Sequence, residues 1–291
     1  MRRCSGQCNV LSARPCRFGR SVIDLDRRHI RLNGSSNLRD IGGYPAADGM
    51  RVKWGKLFRS GSLWALNGSD WRWMDERGIR VVCDLRSAAE REIAPTVWRG
   101  KVPPRSVDGS YDSDVLFSRR TPKESLGIGA LEGGLYLKFA RLLAKSFAGL
   151  FDALQSGEAP AIVHCTAGQD RTGLAVALLL DVLGVARPTI HADYLLSTEL
   201  RRPEFELDRA GLNEVAERNV VAAYYVRLIE RHGPTIFTPQ PLVDSMGRPL
   251  VDIAMDAIER EWGSIEAYFD EELGIGPAEQ ANLRAHLLEP A

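Results

Sequence analysis

The spacing of apolar positions changes at Pro160. Ahead of it, Leu135, Phe139, Leu142, Leu143, Phe147, Phe151 and Leu154 recur every three or four residues. That is one face of a helix, closed by Gly157. Behind it, Ala161, Ile162 and Val163 form a run too short for a helix and flanked by breakers, which suits a strand buried on both faces. After a loop, Leu174, Ala175, Leu178, Leu179, Val182 and Leu183 come too densely for a single stripe. This second helix is therefore expected to be buried all round, with Gly184 as its stop. A strand feeding a helix through a tight loop is the centre of the chain.

Upstream, the pattern predicts strands over Met50 to Trp54, around Leu57 to Arg59, and over Ile79 to Leu85. A helix over residues 69–77 has Ser69 or Asp70 as its cap and Gly78 as its end. Arg39 and Asp40, followed by Gly42 and Gly43, read as a charged pair pinning a turn. Residues 93–133 carry scattered prolines and glycines and read as one long irregular segment. Downstream, the chain is wholly helical. Pro188 starts one helix, residues 199–233 hold one or two more, and 233–249 are a proline-rich break. Short helices over 251–262, 264–273 and 277–288 are separated by Gly263, Gly274 and Gly276.

The composition narrows the function class. Lys plus Arg and Asp plus Glu number 38 each in 291 residues, and zero net charge argues against a dedicated nucleic-acid binder. No apolar run is long enough to span a bilayer or resembles a secretory signal, so the expected compartment is the cytoplasm. Residues 1–23 contain arginines and no acidic residue; they read as a solvated basic arm ahead of a single domain over 24–291. Five cysteines argue against a disulfide scaffold. Cys83 reads as a buried small hydrophobe, and Cys4, Cys8 and Cys16 complete no metal-ligand spacing.

The candidate chemistry sits in the central loop, His164-Cys165-Thr166-Ala167-Gly168-Gln169-Asp170-Arg171-Thr172-Gly173. A glycine-containing loop between a strand and a helix N-terminus turns several backbone N–H groups toward one point, which makes an anion site. A cysteine at the base of such a site, facing the helix end and an arginine, is expected as the nucleophilic thiolate. Arg171 can grip two oxygens of a tetrahedral anion. Spacing alone does not carry this reading: Cys8 and Arg14 repeat the Cys-x5-Arg spacing with no glycine, strand or helix around them. The context does, through His164, Gly168, Thr172 and Gly173.

HCTAGQDRTG resembles the signature loop of the cysteine-dependent tyrosine phosphatases, and more narrowly that of their bacterial and fungal branch, HCxAGKDRTG. Asn37 to Tyr44 (NLRDIGGY), Phe58 to Leu63 (FRSGSL) and Asp84 to Ser87 (DLRS) are similar to that branch's other segments, in the same order. The resemblance covers about residues 31–290. One departure is visible: Gln169 stands where the branch usually has lysine. The resemblance implies an α/β fold, with a central, mostly parallel sheet flanked by helices, the strand at residues 79–85 beside that of Ile162, and an all-helical C-terminal half. It also implies that the Arg39–Asp40 element packs near the loop, and that residues 199–249 form a helical lid.

The expected reaction is hydrolysis of phosphomonoesters through a cysteinyl-phosphate on Cys165. Arg171 and the backbone of Thr166, Ala167, Gly168 and Gln169 stabilise the transferring group, a positioning and electrostatic task that needs neither metal nor cofactor. Thr172 is a candidate donor to the sulfur, and His164 a support for the loop backbone. A general acid is also required. The resemblance supports Asp170, inside the loop; Asp84 is the alternative, although it also reads as an anchor for Arg86, and Asp112 and Asp114 are outsiders. Asp170 has a competing structural role, pairing with Arg39. Phosphotyrosine proteins or peptides are the expected substrates, with broad specificity; phosphoinositides are less favoured because Gln169 lacks the lysine charge. A catalytically idle phosphate-binding module is the alternative from another class.

Overall fold

The computed structural model describes residues 24–109, 111–117 and 135–291; the basic arm, its three cysteines and the glycines at 127 and 129 lie outside them. Among the described residues the main sheet has five strands. They are β1 (Arg39–Asp40), β3 (Leu57–Ser60), β4 (Val81–Asp84), β5 (Arg105–Asp108) and β6 (Ala161–His164), in the order β1-β3-β6-β4-β5. β3, β6, β4 and β5 run parallel, and β1 is antiparallel to β3. The register aligns Ser60, His164 and Asp84 across one edge. The loops that follow these residues share the carboxyl end of the sheet, where open α/β sheets bind ligands.

Side chains alternate between the two faces of the sheet. Phe58, Val82 and Ile162 pack with Trp71 and Met74 of α2 (Gly68–Arg77) on one side. On the other side, Leu57, Val81, Cys83, Ala161 and Val163 meet α6 (Ala144–Gln155) and α7 (Asp170–Val182). β6 is buried along its whole length, and α7 is buried nearly all round, as the apolar density predicts. Each large aliphatic side chain so removed from water contributes about 1.5–3 kcal/mol. Gly184 follows α7 with φ 78, a conformation open to glycine without strain.

Several boundaries differ from the local pattern. The cap of α2 is Asn67, with Asp70 closing the capping box from inside. The segment over 93–133 contains β5 and α4 (Asp114–Phe117), and α3 (Ala88–Ile93) precedes it. β5 escapes notice because it is an edge strand whose one buried residue is Val107. The helix expected over 135–154 is two, α5 (Tyr136–Leu142) and α6, broken at Leu143. Beside the break, the Tyr268 hydroxyl donates to the Ala140 carbonyl at 2.7 Å, a side chain entering the helical ladder. β2 (Met50–Val52) stands outside the main sheet and pairs with β7 (Leu288–Pro290), which follows α13 (Pro277–Leu287).

The remaining helices among the described residues are α1 (Leu25–Arg28), α8 (Arg187–Leu200), α9 (Leu212–Val215), α10 (Val220–His232), α11 (Val251–Trp262) and α12 (Ile265–Glu271). Among the described residues, no helix is long and apolar enough to cross a membrane.

Candidate active site

The loop from Cys165 to Arg171 is held from outside by its carbonyls. Ser62 donates its amide to the Thr166 carbonyl at 2.9 Å. Asn37 Nδ2 donates to the carbonyls of Ala167 and Gly168, and Arg59 Nη2 donates to Gly168 at 2.9 Å. Gly168 has φ 68, and a Cβ there would come within 2.5 Å of the Ser60 carbonyl, so both conformation and proximity to β3 require glycine. With the carbonyls taken up outside, the N–H groups of residues 166–171 donate to no described residue. They lie at the N-terminus of α7, an arrangement chemically suited to cradling an anion. Cys165, which opens the loop, is buried, 2% exposed.

Arg171 is fixed from behind by Glu90, the third residue of α3. Nη1 and Nη2 each donate to a different Glu90 oxygen at 2.7 Å, and Nη1 also reaches the Tyr111 hydroxyl and the Leu85 carbonyl. That leaves Nε–H and the second Nη2–H, side by side, uncommitted to the described residues: a fork suited to two oxygens of one anion. Glu90 also accepts from the Thr166 hydroxyl at 2.6 Å and from the amide and hydroxyl of Ser87. Burial alone would raise this carboxyl, but the Arg171 charge and these hydrogen bonds hold it down at about 2. Glu90 has no recognisable sequence context of its own beyond the Ser87-x-x-Glu90 capping box.

The other expected residues are placed as follows. Asp40 accepts from the amides of Gly42 and Gly55, pinning its turn. Arg39 does not meet Asp170. It shares Asp193 with Arg59, and both guanidiniums are fully buried. Asp193 Oδ1 also accepts from Tyr44, and Ser197, one helical turn on, accepts from both arginines. This cluster ties α8 to β1, β3 and, through Arg59, to the loop. Asp193 and Ser197 carry only the weak signal of polar residues four apart on a helix that buries a single face.

Asp84 forms a two-point pair with Arg86, through Nε at 2.9 Å and Nη2 at 2.7 Å. Burial opposes its charge, but His164 and Arg86 hold it well below the ordinary carboxylate range. An anchor fits this geometry and a proton donor does not. His164 is buried beside it: Nδ1 is 3.4 Å from the Cys165 carbonyl and Nε2 is 3.7 Å from Asp84 Oδ2. Asp112 caps Asp114 at the start of α4. Asp170 bonds the Tyr136 hydroxyl, which in turn contacts that of Tyr194. Thr172 is fully buried, and its hydroxyl has no partner among the described residues.

Gln169 Oε1 accepts from Arg201 Nη1 at 2.8 Å, a contact the sequence does not suggest. Arg201 is paired at two points with Glu206. Beyond it, α10 packs on α3: Asn219, its cap, donates to the Ala89 carbonyl and to Glu92. Tyr224, Tyr225, Phe117 and Phe237 interlock beside that contact.

The profile of the tyrosine phosphatase family matches residues 30–289. A Cupriavidus necator protein provisionally named a tyrosine-protein phosphatase is 31% identical over 265 residues, 90% of this chain and 89% of that protein. The triple specificity protein phosphatase PtpB of Mycobacterium tuberculosis is 26% identical, over 88% of this chain and 98% of its own. A tyrosine-protein phosphatase of Nostoc commune is 27% identical over about half of each chain.

Proposed function

The chain belongs to the tyrosine phosphatase family and is a phosphoric monoester hydrolase, and from that premise we propose that it dephosphorylates phosphotyrosine in proteins or peptides through Cys165, with Asp170 as general acid and base. The observation that carries the assignment is the pinned loop. Its carbonyls bond outward to Ser62, Asn37 and Arg59, which leaves its N–H groups and one edge of Arg171 uncommitted to the described residues, and the cysteine that opens it is buried.

In the first step the Cys165 sulfur attacks phosphorus opposite the leaving oxygen. The S–P bond forms as the P–O bond breaks, and Asp170 gives its proton to the departing oxygen. The equatorial oxygens lie against the N–H groups of 166–171 and the Arg171 fork, which stabilise the charge without rearranging. In the second step the Asp170 carboxylate takes a proton from water, which attacks phosphorus. The S–P bond breaks with its electron pair returning to sulfur, and the unpartnered Thr172 hydroxyl donates to that sulfur.

Substrate preference follows from the rim. Gln169 brings no charge, and the Arg201 that bonds it is neutralised by Glu206. Gln169 and the paired Arg201 thus bring no uncompensated charge to a multiply phosphorylated lipid headgroup, which supports phosphotyrosine peptides over phosphoinositides. Residues 199–249 act as a cover over the cradle. This is supported by the seating of α10 on the helix that carries Glu90.

The test is hydrolysis of p-nitrophenyl phosphate in EDTA by wild type, Cys165→Ser and Asp170→Asn. Turnover that resists chelation, is abolished by Cys165→Ser and falls by about 10²-fold or more in Asp170→Asn is expected. Full activity in Asp170→Asn would remove it from the mechanism. Higher kcat/KM for phosphoinositides than for phosphotyrosine peptides would overturn the substrate reading.

A further inference from the structure

Two tyrosines from distant parts of the chain meet behind Asp170. Tyr136 opens α5 and is fully buried; Tyr194 lies in α8 and is 1% exposed. Their hydroxyl oxygens are 2.6 Å apart, and the Tyr136 hydroxyl also donates to Asp170 Oδ1. A phenol has one proton. Since Tyr136 spends its proton on Asp170, its oxygen accepts from Tyr194, and the chain has one polarity: Tyr194 to Tyr136 to Asp170. Burial, followed by the Asp170 charge, pushes both phenols well above their ordinary values, so both remain donors across the neutral range.

The loop makes room for this chain. Gly173, two residues past Arg171, lies under the Tyr194 ring, and a Cβ there would come within 2.7 Å of it. Any larger residue displaces Tyr194, so this glycine is a packing requirement of the pair. The charged groups acting on the chain from neighbouring elements are Arg201, at the end of α8, on Asp170, and Arg59 of β3 and Asp252 of α11 on Tyr194.

We propose that Tyr136, backed by Tyr194, is a positioning residue for proton transfer, holding Asp170 Oδ1 as a permanent acceptor so that the transferable proton resides on Oδ2. In the first step the Oδ2–H bond breaks as the leaving oxygen gains the proton; in the second, Oδ2 takes a proton from water, and Oδ1 keeps its bond to Tyr136 throughout. The inference rests on the reading of Asp170 as the acid.

The experiment measures kcat/KM over a series of aryl phosphates, from dinitrophenyl phosphate, whose leaving group needs no proton, to phenyl phosphate, whose leaving group does. Wild type, Tyr136→Phe, Tyr194→Phe, Asp170→Asn and the Tyr136→Phe/Asp170→Asn double variant are compared, with urea unfolding run on each. Asp170→Asn is expected to lose progressively more as the leaving group becomes more basic. Tyr136→Phe follows the same trend, losing about tenfold on phenyl phosphate and less than about threefold on dinitrophenyl phosphate. Tyr194→Phe shifts the same way by less, and the double variant is no slower than Asp170→Asn.

An even loss across the series in Tyr136→Phe, or losses that multiply in the double variant, would reduce the tyrosine to a packing role and overturn the inference. A flat series for Asp170→Asn would overturn the acid assignment and this inference with it. If Tyr136→Phe does not fold, the slope of Tyr194→Phe against wild type decides.

Discussion

Replacing Glu90 by glutamine tests whether Arg171 is held from behind. The two Glu90 oxygens take Arg171 Nη1 and Nη2 at 2.7 Å each, the Thr166 hydroxyl at 2.6 Å and the Ser87 amide at 2.9 Å. A glutamine amide offers an acceptor at only one of those two positions. Its NH2 group meets an N–H donor at the other, so one arm of the buried guanidinium loses its acceptor whichever way the amide turns. Two routes give the size of the effect. Burial opposes the Glu90 charge, yet Arg171 and the hydrogen bonds take the carboxyl from 4.5 down to about 2, a depression corresponding to about 3 kcal/mol. Removing one partner of a buried ion pair costs about 3–5 kcal/mol.

A folded-state value below the unfolded one means that this stabilisation is fully present above about pH 4.5 and is lost as pH falls toward 2. Urea unfolding of Glu90→Gln is therefore expected to show about 3 kcal/mol less stability near neutral pH, with the gap to wild type narrowing in acid. Turnover of p-nitrophenyl phosphate should fall by about 10²-fold, because a loosened guanidinium no longer meets the transferring group in one geometry. A variant within about 1 kcal/mol and about threefold of wild type would refute the clamp.

Four further outcomes follow from the same contacts. Asp193→Asn leaves Arg39 and Arg59 as buried like charges without a counter-ion; a loss of about 3–5 kcal/mol by chemical denaturation is expected, and a change below about 1 would show the cluster to be dispensable. Burial pushes the His164 imidazole from 6.5 down to about 4, so the folded state prefers it neutral, and stability falls as pH drops through 6.5. Between about pH 7.5 and about pH 5 wild type should lose about 2 kcal/mol that His164→Gln does not, and equal slopes would remove His164 as the cause. Gly168→Ala forces a Cβ to within 2.5 Å of the Ser60 carbonyl; kcat/KM is expected to drop by about 10²-fold, and an unchanged rate would mean that the loop tolerates the shift. Glu206→Gln frees the Arg201 charge beside Gln169. The ratio of phosphoinositide to aryl phosphate turnover should rise by roughly threefold or more, and a constant ratio would show that rim charge does not set preference.

The sequence by itself determined the strand, loop and helix from Ala161 to Val182 and the cysteine and arginine they present. Those signals are local: a short apolar run, a glycine where φ is positive, and a helix buried all round each declare themselves within a few residues. The turn pinned by Asp40 was legible in the residues themselves, whereas the packing of the Asn37 to Tyr44 element near the loop was implied only by the resemblance, and the Asn37 side chain indeed grips the loop carbonyls. Tertiary structure alone decided the partners. Glu90 lies 81 residues from Arg171 in the chain, Tyr136 lies 34 from Asp170, and Asp193 lies 154 from Arg39. A lone acid or phenol in a helix looks the same whether it faces water or a buried arginine, because what distinguishes the two is a neighbour brought in by strand order. The same reason hides the partner of β2, whose strand the local pattern does predict, and hides β5 altogether. The backbone bonds of β2 go to the far end of the chain and those of β5 to an adjacent parallel strand, and neither connection leaves a mark on the local pattern of side chains.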